Sequence, residues 1–236
     1  GHSNTAIGYQ AGLNQTTALY NVFLGDRSAG NGVVTGQKNT AIGHYTLYEN
    51  TSGANNVAVG ANALDVNTTG GYNNAVGQNA LGANTTGNYN VAMGQDALAN
   101  NTQASDNIAI GRAAMVSNTT GTMNTAVGAY AFDANSTGSA NTCIGFNAGT
   151  AFTSDGITAI GKDALESCTT GNNTAVGANS LAAVTTGAQN TAVGQDALQV
   201  NTASNNTAMG AYSLIANTTG SSNTYFDLMQ HDQQQY

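Results

Sequence analysis

The sequence predicts an all-β protein, a parallel β-solenoid of about fourteen coils of 16–18 residues each. Three observations predict it. A motif of the Asn-Thr-Ala-Val-Gly kind recurs along the chain. Its glycine stands at Gly8, Gly25, Gly43, Gly60, Gly77, Gly94, Gly111, Gly128, Gly145, Gly161, Gly177, Gly194 and Gly210. Columns of one residue type keep phase with that glycine. The composition disfavours both an ordinary globular domain and a disordered chain: 7% charged residues, no Pro, no Trp and 30 Gly in 236 residues. That charge content lies far below the quarter typical of globular domains, and it lacks the charge and proline of a disordered chain. Helical repeats are longer and richer in Leu, Glu and Lys, whereas a period this short gives one solenoid coil per repeat.

The strand comes first. The residue before each anchor glycine is aliphatic or Met in all thirteen copies, from Ile7 through Val59 and Ile110 to Met209. One place earlier stands Ala in eleven copies, with Phe23 and Cys143 as exceptions; four places before the glycine stands Asn in twelve, with Ile157 as the exception. Side chains alternate across a strand. The aliphatic column therefore shares a face with the Thr, Val, Ile or Asn three before the glycine, and the Ala and Asn columns share the other. The aliphatic face is expected inside the coil. The nearly flat Ala face is expected outside, where it would let another chain approach closely.

A second, weaker strand is expected after the glycine. It pairs Ala63 or its equivalents with a large apolar neighbour: Leu47, Leu64, Leu81, Leu98, Met115, Phe132, Leu165, Leu181, Leu198 or Leu214. Corners follow, most clearly Asn-Thr-Thr-Gly at 67–70, 84–87, 118–121 and 217–220. Gly and Asn suit corners because they tolerate positive φ. The absence of Pro fits a backbone whose amides pair with both neighbouring coils. Stacking at about 4.8 Å per coil gives a rod on the order of 65 Å long, with like residues in ladders. Residues 1–222 form the repeat array. Residues 223–236 hold a degenerate last coil, Asn223-Thr224-Tyr225-Phe226-Asp227, and a C-terminal cap or tail. Repeat arrays draw stability from neighbour interfaces and need such caps.

Composition also narrows function. Twelve acidic and four basic residues give a net charge of −8, and Arg27, Lys38, Arg112 and Lys162 are scattered. Phosphate recognition needs clustered Lys and Arg, so no nucleic-acid partner is expected, and an anionic membrane surface is a poor partner too. No apolar run approaches a membrane-spanning helix, and no signal peptide stands out. His2, His44 and His231 are spread end to end, and no nucleophile, paired-carboxylate or Gly-x-Gly cofactor constellation stands out. No enzyme activity, cofactor or metal is expected. The Gly-Gly-x-Gly-x-Asp calcium motif is missing. Sequons such as Asn67-Thr68-Thr69 coincide with repeat corners and read as turns. Cys143 and Cys168 sit at different phases and read as small fillers, with a disulfide open.

The motif Asn-Thr-Ala-Val-Gly, then Ala-Leu, then Asn-Thr-Thr-Gly resembles the head repeats of trimeric autotransporter adhesins of the YadA type. It is also similar to repeats of phage tail-fibre and spike proteins. The likeness runs from Asn4 to about Asp227. It implies a left-handed β-roll, a homotrimer and an extracellular, cell-surface or virion-fibre role in attachment. The 17-residue period, longer than that of the adhesin heads, and the lack of a heptad stalk or anchor barrel favour a fibre-like segment. The expected partners are further copies of the chain and a host-surface or glycan ligand. An end-to-end extracellular filament is the alternative, and an ice-binding solenoid a third. Against ice binding, the phased Thr three before the glycine is expected to point inward.

Candidate surface-binding residues are the aromatics at variable corners. Tyr9, Tyr45, Tyr130, Phe146 and Tyr212 lie one or two after an anchor glycine, and Tyr72 and Tyr89 share a phase in successive coils. Exposed aromatic faces stack on the apolar faces of sugars. The irregular coils after Gly25 and Gly145 are further places for function, because loops carry it.

Overall fold

The computed structural model describes residues 2–31 and 33–227, and it is a parallel β-solenoid. Fourteen three-residue strands form one sheet in sequence order: β1 (Thr5–Ile7), β2 (Val22–Leu24), β3 (Thr40–Ile42), β4 (Val57–Val59), β5 (Asn74–Val76), β6 (Val91–Met93), β7 (Ile108–Ile110), β8 (Thr125–Val127), β9 (Thr142–Ile144), β10 (Thr158–Ile160), β11 (Thr174–Val176), β12 (Thr191–Val193), β13 (Thr207–Met209) and β14 (Thr224–Phe226). Each strand pairs in parallel with the next, like on like: Val59 on Val76, Thr174 on Thr191. The degenerate last copy closes the sheet as β14. The tail expected from residue 228 onward lies outside the described residues.

The strand faces are the reverse of the expectation. Ala58, Ala75, Ala92 and Ala109 are fully buried, as are Asn56, Asn73, Asn90 and Asn107. The aliphatic column faces out, half-buried to exposed, with Met93 at 43% and Ile110 at 37%. The reason is volume. The large residue four after each glycine, such as Leu64, Leu81 or Leu98, is fully buried and fills the narrow coil. Only a small side chain fits opposite it. The two exceptions in the Ala column follow the same rule. Phe23 is buried beside Gly12, where an added Cβ would lie 2.8 Å from the Phe23 ring, and Cys143 lies against Gly149. A large strand residue stands where the second segment gives up its bulk, which conserves core volume.

The expected second strand is a run of turns. Its residues two and four after the glycine are left-handed, such as Asn62 at φ 57° and Leu64 at φ 52°. This tight winding lets adjacent residues, Ala63 and Leu64, both point inward. Left-handed backbone disfavours a leucine. Here it is held by coil-to-coil bonds, Asn62 N–H to His44 O at 3.0 Å and Leu64 N–H to Ala80 O at 3.1 Å. The corner glycines also differ from expectation. Gly70 is needed for close approach, since a Cβ there would lie 2.4 Å from the Gly87 carbonyl oxygen. Positive φ belongs to the anchor column instead: Gly111 has φ 135°, and a Cβ would meet the Gly128 oxygen at 2.4 Å.

Two buried Asn ladders hold the coils together. In the first, the Asn56 amide N–H donates to Asn39 Oδ1 at 2.9 Å and its Nδ2 donates to Gly70 O at 2.9 Å. In the second, Asn84 Nδ2 donates to Asn67 Oδ1 at 2.9 Å and to Gly87 O at 3.1 Å. Asn67 of the sequon is fully buried in this ladder. Cys143 and Cys168 are free and buried, and burial pushes both thiols up from their ordinary pKa.

Candidate binding surface

Two surfaces follow from this winding. The first is the outer face of the sheet. Side chains one and three before each glycine form two parallel columns over all fourteen strands. In the N-terminal half the column one before the glycine is wholly apolar and the other is mixed, with Val22, Val57, Val91 and Ile108 among Thr5, Thr40 and Asn74; Val22 is 40%, Leu24 42% and Ile108 39% exposed. From β8 to β14 the column three before the glycine is threonine without a break: Thr125, Thr142, Thr158, Thr174, Thr191, Thr207 and Thr224. Among the described residues no side-chain hydroxyl of these seven is bonded to the protein. They point outward, so the inward orientation expected from the sequence is corrected too.

The second surface comprises the corners. All seven sequence-predicted aromatics are at least partly exposed. They do not form one site; they fall into four places. Tyr72 and Tyr89 stack, with ring centroids 5.0 Å apart and an interplanar angle of 15°. They stand five before the glycine, on a corner whose residues are left-handed, Tyr72 at φ 59° and Tyr89 at φ 57°. Tyr130 meets Phe146 edge-on at 6.2 Å, and the Arg112 guanidinium lies 4.7 Å from the Tyr130 ring centre. Tyr212 accepts a bond from Gln195 Nε2 at 3.3 Å.

The densest group lies around Arg27, at the irregular coil. Its guanidinium sits 5.7 Å from the Tyr9 ring centre and 5.3 Å from that of Tyr45. Nε donates to Gln10 Oε1 at 3.1 Å, and Nη1 donates to the Tyr45 hydroxyl. Tyr45 packs edge-on against His44 at 4.2 Å and Tyr48 at 4.7 Å. His44 Nε2 lies 3.5 Å from Asp26 Oδ2, while Asp26 Oδ1 is shielded and has no partner in the chain. The Tyr45 hydroxyl, foremost, holds the Arg27 pKa above its ordinary value. Sequence reasoning singles out Tyr9 and Tyr45 but misses Arg27, Gln10, Asp26 and His44. A signal is present: Arg27 stands two after Gly25, the phase that Tyr45 occupies after Gly43.

Among the described residues no group of three His, Cys, Asp or Glu is placed to hold a metal ion, and no helix is long and apolar enough to cross a membrane. No known family model matches the chain, and no curated protein shows significant similarity to it.

Proposed function

We propose that the chain is a segment of an extracellular structural or adhesive fibre, in which three copies of a left-handed β-roll pack face to face and attach to a cell-surface or glycan ligand. The observation that carries this reading is the unbroken outward column of Ile, Leu, Val and Met along the sheet. A strip about 65 Å long and about 10 Å wide offers on the order of 600 Å² per copy. That is at the upper end of the apolar patches that monomers leave open, and two such strips approach a specific interface. The surface that was expected to mediate packing, the Ala face, is inside the coil; the aliphatic face takes its place. That three copies associate, rather than two, rests on the repeat resemblance.

Light scattering tests it. The expected mass is three times the 23.7 kDa of one chain. The double substitution Ile110→Lys and Val127→Lys should give monomers, because like charges would face each other across a desolvated strip. A monodisperse wild-type monomer sinks the trimer. Long polymers in electron micrographs would favour the end-to-end filament instead.

A second reading has its own observation. The seven outward hydroxyls of Thr125 to Thr224, at strand spacing along one sheet, suit ordered water, as an ice-binding solenoid requires. It needs the same face to be free. Thermal hysteresis from a monomer would support it, and zero hysteresis removes it.

A further inference from the structure

We propose that the corner built by Tyr9, Gln10, Asp26, Arg27, His44 and Tyr45 binds an acidic saccharide, a pyranose carrying a carboxylate or sulfate. This rests on the adhesive reading above only for its biological use; the site itself stands on one chain.

The first argument is preorganisation. The Arg27 guanidinium lies 5.7 and 5.3 Å from the Tyr9 and Tyr45 ring centres and donates to Gln10 and to the Tyr45 hydroxyl. A guanidinium has five N–H donors, and these bonds use two. The remaining three, one on Nη1 and two on Nη2, are left for a ligand, and a guanidinium's planar fork matches a carboxylate or sulfate. Holding a long side chain in place beforehand removes an ordering cost at binding.

The second argument is the aromatic surface. Tyr9 is 66% exposed beside that fork, so a sugar can rest its C–H face on the ring while its acid group reaches Arg27. His44 and Asp26 border the same corner with side chains 54% and 43% exposed, and they offer hydrogen-bond partners to sugar hydroxyls.

The third argument is charge. Residues 1–59, the coils that build this corner, carry Arg27 and Lys38 against Asp26 and Glu49, whereas residues 60–236 carry Arg112 and Lys162 against ten acids. Screening confines each charge to about two coils at physiological salt. An acidic glycan is therefore repelled along most of the rod and meets no net repulsion at this end, where the Arg27 donors decide. The related corner at Arg112 has a single ring over the guanidinium and no bond fixing it among the described residues, which makes it an internal control.

Calorimetric titration of the whole chain with sialyllactose, a sulfated heparin tetrasaccharide and neutral lactose tests this. At least one acidic probe should bind about ten-fold or more tightly than lactose. Arg27→Gln should weaken that probe about ten- to hundred-fold and leave lactose unchanged. Arg27→Lys should recover only part of the loss, and Arg112→Gln and Lys162→Gln should change nothing. If Arg27→Gln does not fold by circular dichroism, Tyr9→Ala, at an exposed ring, carries the test with an expected loss of about five-fold or more. Equal affinity for acidic and neutral sugars, no acidic probe bound, or undiminished binding by these variants overturns the site. Those outcomes leave the fibre reading standing if trimers and cell attachment persist. A monomer that binds the acidic probe through Arg27 does the reverse.

Discussion

Two stretches of the same solenoid solve the problem of a filled interior differently. From Asn50 to Asn135 the second ladder is continuous, each Nδ2 donating to the Oδ1 of the coil before it at 2.9 to 3.0 Å. Between Asn135 and Asn201 the same place holds Phe152, Cys168 and Val184, all fully buried. The first ladder breaks in the same coil, where Ile157 stands in the Asn column and offers no acceptor to the amide of Asn173. Phe152 stacks on Phe132 at 6.1 Å, and Gly149 makes room beside Cys143 and Ile157. Polar ladders specify register, because a buried amide left unpaired is costly. Apolar filling is less specific and works only where several neighbours change together. The two Asn columns thus act as a register lock that is interrupted for one coil in the first column and for three coils in the second.

Phe152→Ala should have the largest effect, a loss of about 4 kcal/mol in chemical denaturation, because the cavity would sit where no ladder can close it. A loss below about 1 kcal/mol would show that the interruption is already loosely packed. Asn107→Ala should cost about 3 kcal/mol, since it strips an acceptor from the Asn124 amide and a donor from Gly121 O, both inside. The reverse exchange in the apolar stretch, Ile157→Asn, should shift stability by less than about 1 kcal/mol, losing packing but supplying the missing acceptor. Equal penalties for the two would erase the distinction between the stretches.

The smallest effect concerns Asp133, at the C-terminal end of the laddered stretch. Burial, against the pull of its own and the Ala134 amides, raises its carboxyl pKa, and Oδ1 has no partner. A raised folded pKa means that the charged form opposes folding. The penalty is present at neutral pH and fades as pH falls through the folded value toward the ordinary carboxylate range. Asp133→Asn should add stability at pH 7, by less than about 0.5 kcal/mol given its solvent access. That gain should vanish near pH 3 in paired thermal melts.

Much of the architecture was legible in the sequence. Phase alone places the fourteen strands, the Asn column four before the glycine and the coil boundaries, because a solenoid repeats its environment as it repeats its residues; it also sets a second strand where the chain turns, and reads the Asn of Asn-Thr-Thr-Gly as a corner and not as a buried ladder. The sidedness was not legible. Alternation defines two faces of a strand, and only the volume of Leu64 and its equivalents across the coil decides which is inside. The compensating pairs Gly12 with Phe23 and Gly149 with Cys143 were visible as exceptions, and read together they point to the buried Ala column. The turn winding was hidden because leucine gives no local cue for positive φ. Phase picks out the corner aromatics; it does not pick out their partner Arg27, because a single arginine in a column of other residues looks like scattered charge.

The coil-to-coil bonds run along the rod, so a pull between its ends loads them in tension, a few at a time. Each coil that peels away would release about 50 Å of slack, the contour of some seventeen residues less one strand spacing. A fibre made this way would lengthen in steps under strain instead of snapping, and the first step would come where Phe152 and Ile157 leave the amide columns unlinked.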